Sequence, residues 1–192
     1  MAKIYLASQS PRRAELLRQI GIEFDAVPVE LDEQPLDTEA ALAFARRMAR
    51  EKARIAVKRY RDRPLLAADT VVEIDGGILG KPRDEAQAAC MLRRLSGRRH
   101  RVISAVALYS RTGTSTAESI SEVSFRELEA DEISAYWRTG EPCDKAGGYA
   151  IQGRAAIFAR ELSGSYSGVM GLPLFETAEL LRAIGIDPLI RA

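Results

Sequence analysis

The chain has 192 residues, 46 % of them hydrophobic and 29 % charged, the make-up of one folded domain (residues 1–192) rather than a disordered segment. Its 28 basic and 27 acidic residues leave a formal charge of +1, which argues against a stable nucleic-acid partner, since such binders carry a large basic excess. No apolar run of about 18 residues exists to engage a membrane, the opening stretch is too short for a signal-peptide core, and two isolated cysteines, Cys90 and Cys143, suit a cytoplasmic chain.

In chain order, Lys3-Ile4-Tyr5-Leu6-Ala7 predicts a short strand, and Ser10-Pro11 an N-cap with proline at the first helical position. That helix should stop at Gly21, with a strand over 24–29 and an acidic loop, Glu30-Leu31-Asp32-Glu33-Gln34-Pro35, after it. Asp37 is the expected cap of a long helix over 38–60. The apolar run 64–68 predicts a buried strand ending at Asp69, and Asp75-Gly76-Gly77 a hairpin between 71–74 and 78–79. Asp84 and Gln87 predict a capping box for a helix ending near Leu95-Ser96-Gly97. Two strands, 101–109 and 117–128, then a helix from Asp131 to Gly140, precede a glycine-rich loop over 144–153. A strand over 155–160 and a helix over 174–184 finish the chain. This order predicts an α/β domain with a mixed sheet.

Four places could carry chemistry. The turn Ser8-Gln9-Ser10-Pro11-Arg12-Arg13 brings hydroxyls and guanidiniums to a helix N-terminus, where free N–H groups favour an anion. The alternative is an ordinary cap with two solvated arginines. On the long helix, Ala41, Ala45, Met48, Ile55 and Ala56 share one arc at 100° per residue, and Lys52 lies near its middle. An inward lysine either forms a buried ion pair or meets a phosphate in a cleft. Asp69 is either a turn aspartate or a ligand-facing group at a strand end. With one histidine in the chain, His100, a metal would need hard oxygen ligands; Glu30, Asp32, Glu33 and Asp69 are the candidates for Mg²⁺ or Mn²⁺. His100 itself, among Arg98, Arg99 and Arg101, reads as a partly solvated strand residue. Lysine is scarce beside arginine, occurring only at 3, 52, 58, 81 and 145, so each marks a place where a compact ammonium could matter. Gly80-Lys81 is not a P-loop, because Asp75 and Pro82 stand where glycine and Ser or Thr are required.

Taken together, Ser8-Gln9-Ser10-Pro11-Arg12-Arg13 with Glu15-Leu16-Leu17, Asp32-Glu33, Arg50-Glu51-Lys52-Ala53, Ala68-Asp69-Thr70-Val71-Val72 and Gly80-Lys81-Pro82 resemble the Maf (septum formation) nucleotide pyrophosphatases. Asp144-Lys145-Ala146-Gly147-Gly148-Tyr149, Ile151-Gln152-Gly153 and Gly171-Leu172-Pro173 extend the resemblance over essentially the whole chain. It implies a Maf/ITPase-like fold: an elongated mixed sheet flanked by helices, with two lobes around a central cleft, commonly as a homodimer. It also implies a cytoplasmic house-cleaning enzyme that hydrolyses nucleoside triphosphates to monophosphate and diphosphate with a divalent cation. Ser8, Arg13, Lys52 and Lys81 match the family's phosphate-binding positions, Glu33 its acidic position, and Asp69 its catalytic proton acceptor, so Glu33 and Asp69 become the metal candidates. Arg12, Thr70 and Gln152 match the branch acting on dTTP and UTP rather than the branch acting on 7-methyl-GTP.

The chemistry of Gln152 agrees with that match. Uracil and thymine present acceptor, donor and acceptor; a carboxamide can both give and accept, while a carboxylate would suit guanine's donors. The resemblance thus implies water attack on the α-phosphorus, with Asp69 as base and the cations neutralising the phosphates. A non-catalytic nucleotide-binding regulator of septum formation is the alternative from another class.

Overall fold

The computed structural model describes residues 3–190, so the outermost residues of the predicted 1–192 domain lie outside it. One seven-stranded mixed sheet runs through it: β1 (Ile4–Ala7), β2 (Phe24–Val27), β3 (Leu65–Ile74), β4 (Gly77–Leu79), β5 (Arg99–Ser110), β6 (Gly113–Phe125) and β7 (Ala159–Ser163). Their order is β2-β1-β3-β5-β6-β7, with β4 hairpinned onto β3. The β1–β2 and β1–β3 pairs are parallel and the rest antiparallel. The helices are α1 (Pro11–Gln19), α2 (Ala41–Ala56), α3 (Glu85–Leu95), α4 (Ala130–Trp137), α5 (Tyr166–Met170) and α6 (Leu174–Arg182). Among the described residues no helix is long and apolar enough to cross a membrane.

Strand alternation gives β3 two buried faces. Leu65, Ala67 and Val71 pack with the alanine-rich face of α2, while Leu66 and Ala68 pack with Leu16 and Leu17 of α1 and Leu181 of α6. Further along the same strand, Val72 and Ile74 join a third cluster with Leu92, Leu95, Phe125, Ile133 and Tyr136. The long strands β3 and β5 therefore run through both halves, and the cleft opens where the clusters meet.

Several expected boundaries move. Asp69 does not end a strand: β3 continues through it, pairing Asp69 with Ala105 and Thr70 with Ser104. Both polar side chains have partners in the fold, so the ladder need not break there. The strand-end argument for Asp69 therefore fails, and its position must be understood from the middle of a strand. Asp37 does not cap α2. Thr38 adopts a left-handed φ of 61°, Ala40 precedes the helix, and α2 ends at Ala56 with Val57 as its C-cap, short of the expected residue 60. Asp84 caps α3, accepting from the Gln87 N–H at 2.7 Å, but the Gln87 side chain bonds the Arg83 N–H rather than closing the box. The box belongs instead to Glu129 and Glu132, which open α4 before the predicted Asp131. Residues Arg154–Ile157 form a 3₁₀ turn, which displaces the predicted strand to Ala159–Ser163. Helix α5, capped by Ser165, is too short to show an apolar period.

His100 is buried, not partly solvated: it is 2 % exposed, with Nε2 2.8 Å from the Tyr149 hydroxyl and the ring edge-on to Phe125. Its Nδ1 is buried without a partner among the described residues, and burial pushes its pKa down to about 4. The folded state thus holds the neutral ring, and the unfolded state takes up a proton first on acidification. Stability from this site is complete above the free-histidine range and is lost as pH falls towards about 4. Between pH 7 and 4, the parent is expected to lose roughly 3 kcal/mol more unfolding free energy than a His100→Gln variant, as read from urea melts. Parallel losses in the two proteins would remove His100 from the acid response.

Candidate active site

The cleft, about 340 Å³, is lined by most of the residues singled out from sequence: Ser8, Arg12, Arg13, Glu33, Lys52, Asp69, Thr70, Lys81 and Gln152. Glu30 and Asp32, the other carboxylates of the acidic loop, are not among its lining residues. At its buried side, the α2 face and the odd-numbered face of β3 bring Lys52 onto Asp69. The Lys52 Nζ is 2.6 Å from Asp69 Oδ1 and 2.6 Å from Glu33 Oε1. Of the two readings of the inward lysine, the buried ion pair is the one seen, yet it lies inside the cleft rather than apart from it.

The two carboxylates on that ammonium are pushed in opposite directions. Burial drives the Asp69 pKa above the ordinary carboxylate range, although Lys52 and Arg13 pull it back. Burial also raises Glu33, but the Lys52 hydrogen bond and the charges of Lys52, Lys81 and Arg13 outweigh it and hold its pKa low. Two carboxylates on one ammonium therefore have pKa values pushed apart by their surroundings.

Arg13 is fixed from the other face of β3. Its Nε donates to the Gly171 carbonyl at 2.8 Å, Nη1 to Ser8 Oγ at 3.3 Å and Nη2 to Thr70 Oγ1 at 3.5 Å. Ser104 donates to the Gly168 carbonyl at 2.6 Å, so the 2.7 Å contact between Thr70 and Ser104 is a bond given by Thr70. A directed chain results: Arg13 to Thr70 to Ser104 to the Gly168 carbonyl. Thr70 thus both lines the cleft and accepts a bond from Arg13. Ser104 had no sequence signal, because its partners lie 34 and 64 residues away. Beside Arg13, the first turn of α1 has no acidic residue to satisfy its dipole, and Ser8 Oγ accepts the Ser10 N–H at 3.2 Å.

The opposite wall comes from residues 144–152. Lys145, ion-paired with Asp144, lines the cleft and was not among the predicted site residues; its scarcity as a lysine was the available signal. Three of the chain's five lysines, 52, 81 and 145, face this one cleft. Gly147 adopts a φ of 69° with its Cα against Val72, and its N–H donates to the Gly80 carbonyl at 3.0 Å. That bond ties the loop bearing Lys145 to the segment bearing Lys81, whose Nζ is 3.9 Å from Glu33. Gln152 is exposed at the cleft. Arg12 places Nε in a buried position without a partner among the described residues.

Glu33 and Asp69 offer hard oxygens for a divalent cation, and no group of three possible metal-binding side chains occurs among the described residues. Two such oxygens are the donor type taken by Mg²⁺ or Mn²⁺, which bind through one or two carboxylates with waters or phosphate oxygens completing the shell.

Residues 3–184 match the family described as Maf-like protein. The chain is 50 % identical to the dTTP/UTP pyrophosphatase of Dechloromonas aromatica, over 97 % of this chain and 100 % of the relative. It is 52 % identical to that of Methylobacillus flagellatus, over 97 % and 94 % of the two chains. For the Methylococcus capsulatus protein of the same name the figures are 53 %, 96 % and 92 %.

Proposed function

From the premise that the chain belongs to the Maf family, we propose that it hydrolyses dTTP and UTP to the nucleoside monophosphate and diphosphate. The observation that carries this reading is the sharing of Lys52 by Asp69 and Glu33 inside a cleft that also holds Arg13, Lys81 and Lys145. A site built only to hold an anionic nucleotide has no use for two carboxylates set among its cations.

In this mechanism Arg13, Lys81 and the remaining N–H of Lys52 receive phosphate oxygens, joined by Ser8 and the first turn of α1. Asp69 accepts a proton from the water whose oxygen attacks the α-phosphorus. The α–β anhydride bond breaks, and its electron pair leaves with the diphosphate. Glu33 and Asp69 would hold a divalent cation, Mg²⁺ or Mn²⁺, which supplies charge neutralisation on the triphosphate. Gln152 reads the pyrimidine edge, with Arg12 beside it and Thr70 acting through Arg13. We place this activity in the cytoplasm, where unpaired Cys90 and Cys143 would stay reduced, and take the working form to be a homodimer.

Diphosphate release from dTTP, UTP and 7-methyl-GTP, with and without a chelator, tests the reading. Release from the two pyrimidines, abolished by the chelator, is expected. Preference for 7-methyl-GTP, or nucleotide binding without diphosphate release, would overturn it.

A further inference from the structure

Gln152 sits at the tip of a turn over residues 150–153, closed by the Gly153 N–H to the Ala150 carbonyl at 3.0 Å. Two side chains outside the catalytic set hold that turn from both ends. The Ala150 N–H donates to the Tyr136 hydroxyl oxygen at 3.1 Å, and the Tyr136 O–H donates to Glu141 Oε1 at 2.6 Å. On the far side of Gln152, the Arg154 N–H donates to Glu141 Oε2 at 3.0 Å and the Ala155 N–H to Oε1 at 3.4 Å. Gly153 completes the fit, since a Cβ there would run into the Glu141 carboxylate. Tyr136 is nearly buried, its ring edge-on to Phe158 at 5.2 Å, so the clamp has a rigid base. The same carboxylate also acts electrostatically on the Arg12 guanidinium.

We propose that Tyr136 and Glu141 are positioning residues for base selection, fixing the 150–155 backbone so that the Gln152 carboxamide meets the pyrimidine edge in one orientation. This rests on Gln152 being the base reader. A carboxamide discriminates only when its donor and acceptor ends cannot exchange places, and a turn free to move would have to be ordered by the substrate itself. Glu141 supplies a fixed acceptor for three donors, which a neutral side chain at that position cannot reproduce.

The test is steady-state kinetics of Tyr136→Phe, Glu141→Ala and Gln152→Ala with UTP and GTP, alongside inhibition by inorganic tripolyphosphate, which has no base. Glu141→Ala should raise the KM for UTP by about 10- to 100-fold with little change in kcat, and lower the UTP-over-GTP preference by a similar factor. Tyr136→Phe removes one hydroxyl and keeps the ring packing, so it carries the test even where Glu141→Ala fails to fold; about a tenfold effect is expected. Tripolyphosphate inhibition should stay within about twofold, because the phosphate cradle is untouched. Adding either substitution to Gln152→Ala should change selectivity by less than about twofold, the mark of action through that residue. If Gln152→Ala loses selectivity while folded Tyr136→Phe and Glu141→Ala keep it, the clamp is refuted and the base reader stands. If Gln152→Ala keeps selectivity, the base-reader assignment falls and this proposal with it.

Discussion

A Lys52→Met variant should lose roughly 3–5 kcal/mol of stability and melt about 10 °C lower than the parent. Methionine fills the volume of the lysine stem, so the apolar packing of α2 on β3 and β5 is retained. The ammonium is what disappears. Asp69 is 5 % exposed and would keep its charge only beside Arg13, with the Glu33 carboxylate repelling it. Glu33 reaches solvent and can turn away; Asp69, in the middle of a paired strand, cannot. The sign of the pH dependence follows. Without Lys52 the Asp69 pKa rises further above its unfolded value, so the penalty is largest at high pH and is relieved as falling pH protonates the buried carboxyl. Urea melts at pH 8 and pH 5 should therefore show a deficit that shrinks on acidification. A variant as stable as the parent at pH 8 would mean that the buried pair contributes nothing to folding. A deficit that grew towards pH 5 would mean that Asp69 is not its source.

Local signals picked out the residues that line the cleft more completely than they gave its geometry. The lone lysine on the apolar arc of α2 located Lys52, because helical periodicity is a local property. The turn before α1 located Ser8 and Arg13 for the same reason. The role of Asp69 was harder to derive: a polar residue after an apolar run looks like a strand end, and only pairing with β5, more than 30 residues away, shows the strand continuing. The hydroxyl chain through Thr70 and Ser104, and the clamp of Tyr136 and Glu141 on residues 150–155, depend on contacts between distant segments that no spacing rule encodes. The strand misplaced at 155–160 has this same origin. At its start the Arg154 and Ala155 N–H groups are taken by Glu141 and the Ala156 N–H by the Gly153 carbonyl, so the chain curls into a 3₁₀ turn before the ladder with β6 begins. His100 lay among arginines that are solvated and paired, while its own side chain points inward under Tyr149; strand alternation permitted either face, and composition favoured the wrong one.

Asp69→Asn separates chemistry from architecture at this centre. Turnover of dTTP and UTP should fall by about 10²- to 10⁴-fold, the range attributed to a positioned general base. Folding should persist, because the asparagine carbonyl can still accept the Lys52 hydrogen bond that now spans 2.6 Å, and Lys52 keeps Glu33 as counter-charge. Burial raises the Asp69 pKa, so folding penalises the charged carboxylate, and a neutral amide at that point is expected to cost little stability at pH 7. The profile with pH supplies the sharper test. In the parent, kcat/KM should decline on the acid side as Asp69 protonates, at a pH above the ordinary carboxylate range. In the variant that limb should vanish from the residual rate, while Glu33, held ionised to lower pH by Lys52, adds nothing in the same window. Nucleotide affinity should hold or tighten, since one negative charge has left the neighbourhood of the triphosphate while Arg13, Lys52 and Lys81 remain. A folded Asp69→Asn protein that turns over within about tenfold of the parent and keeps the acid limb would assign the proton acceptor to another group. Glu33 would then be the remaining carboxylate within reach of Lys52 among the described residues.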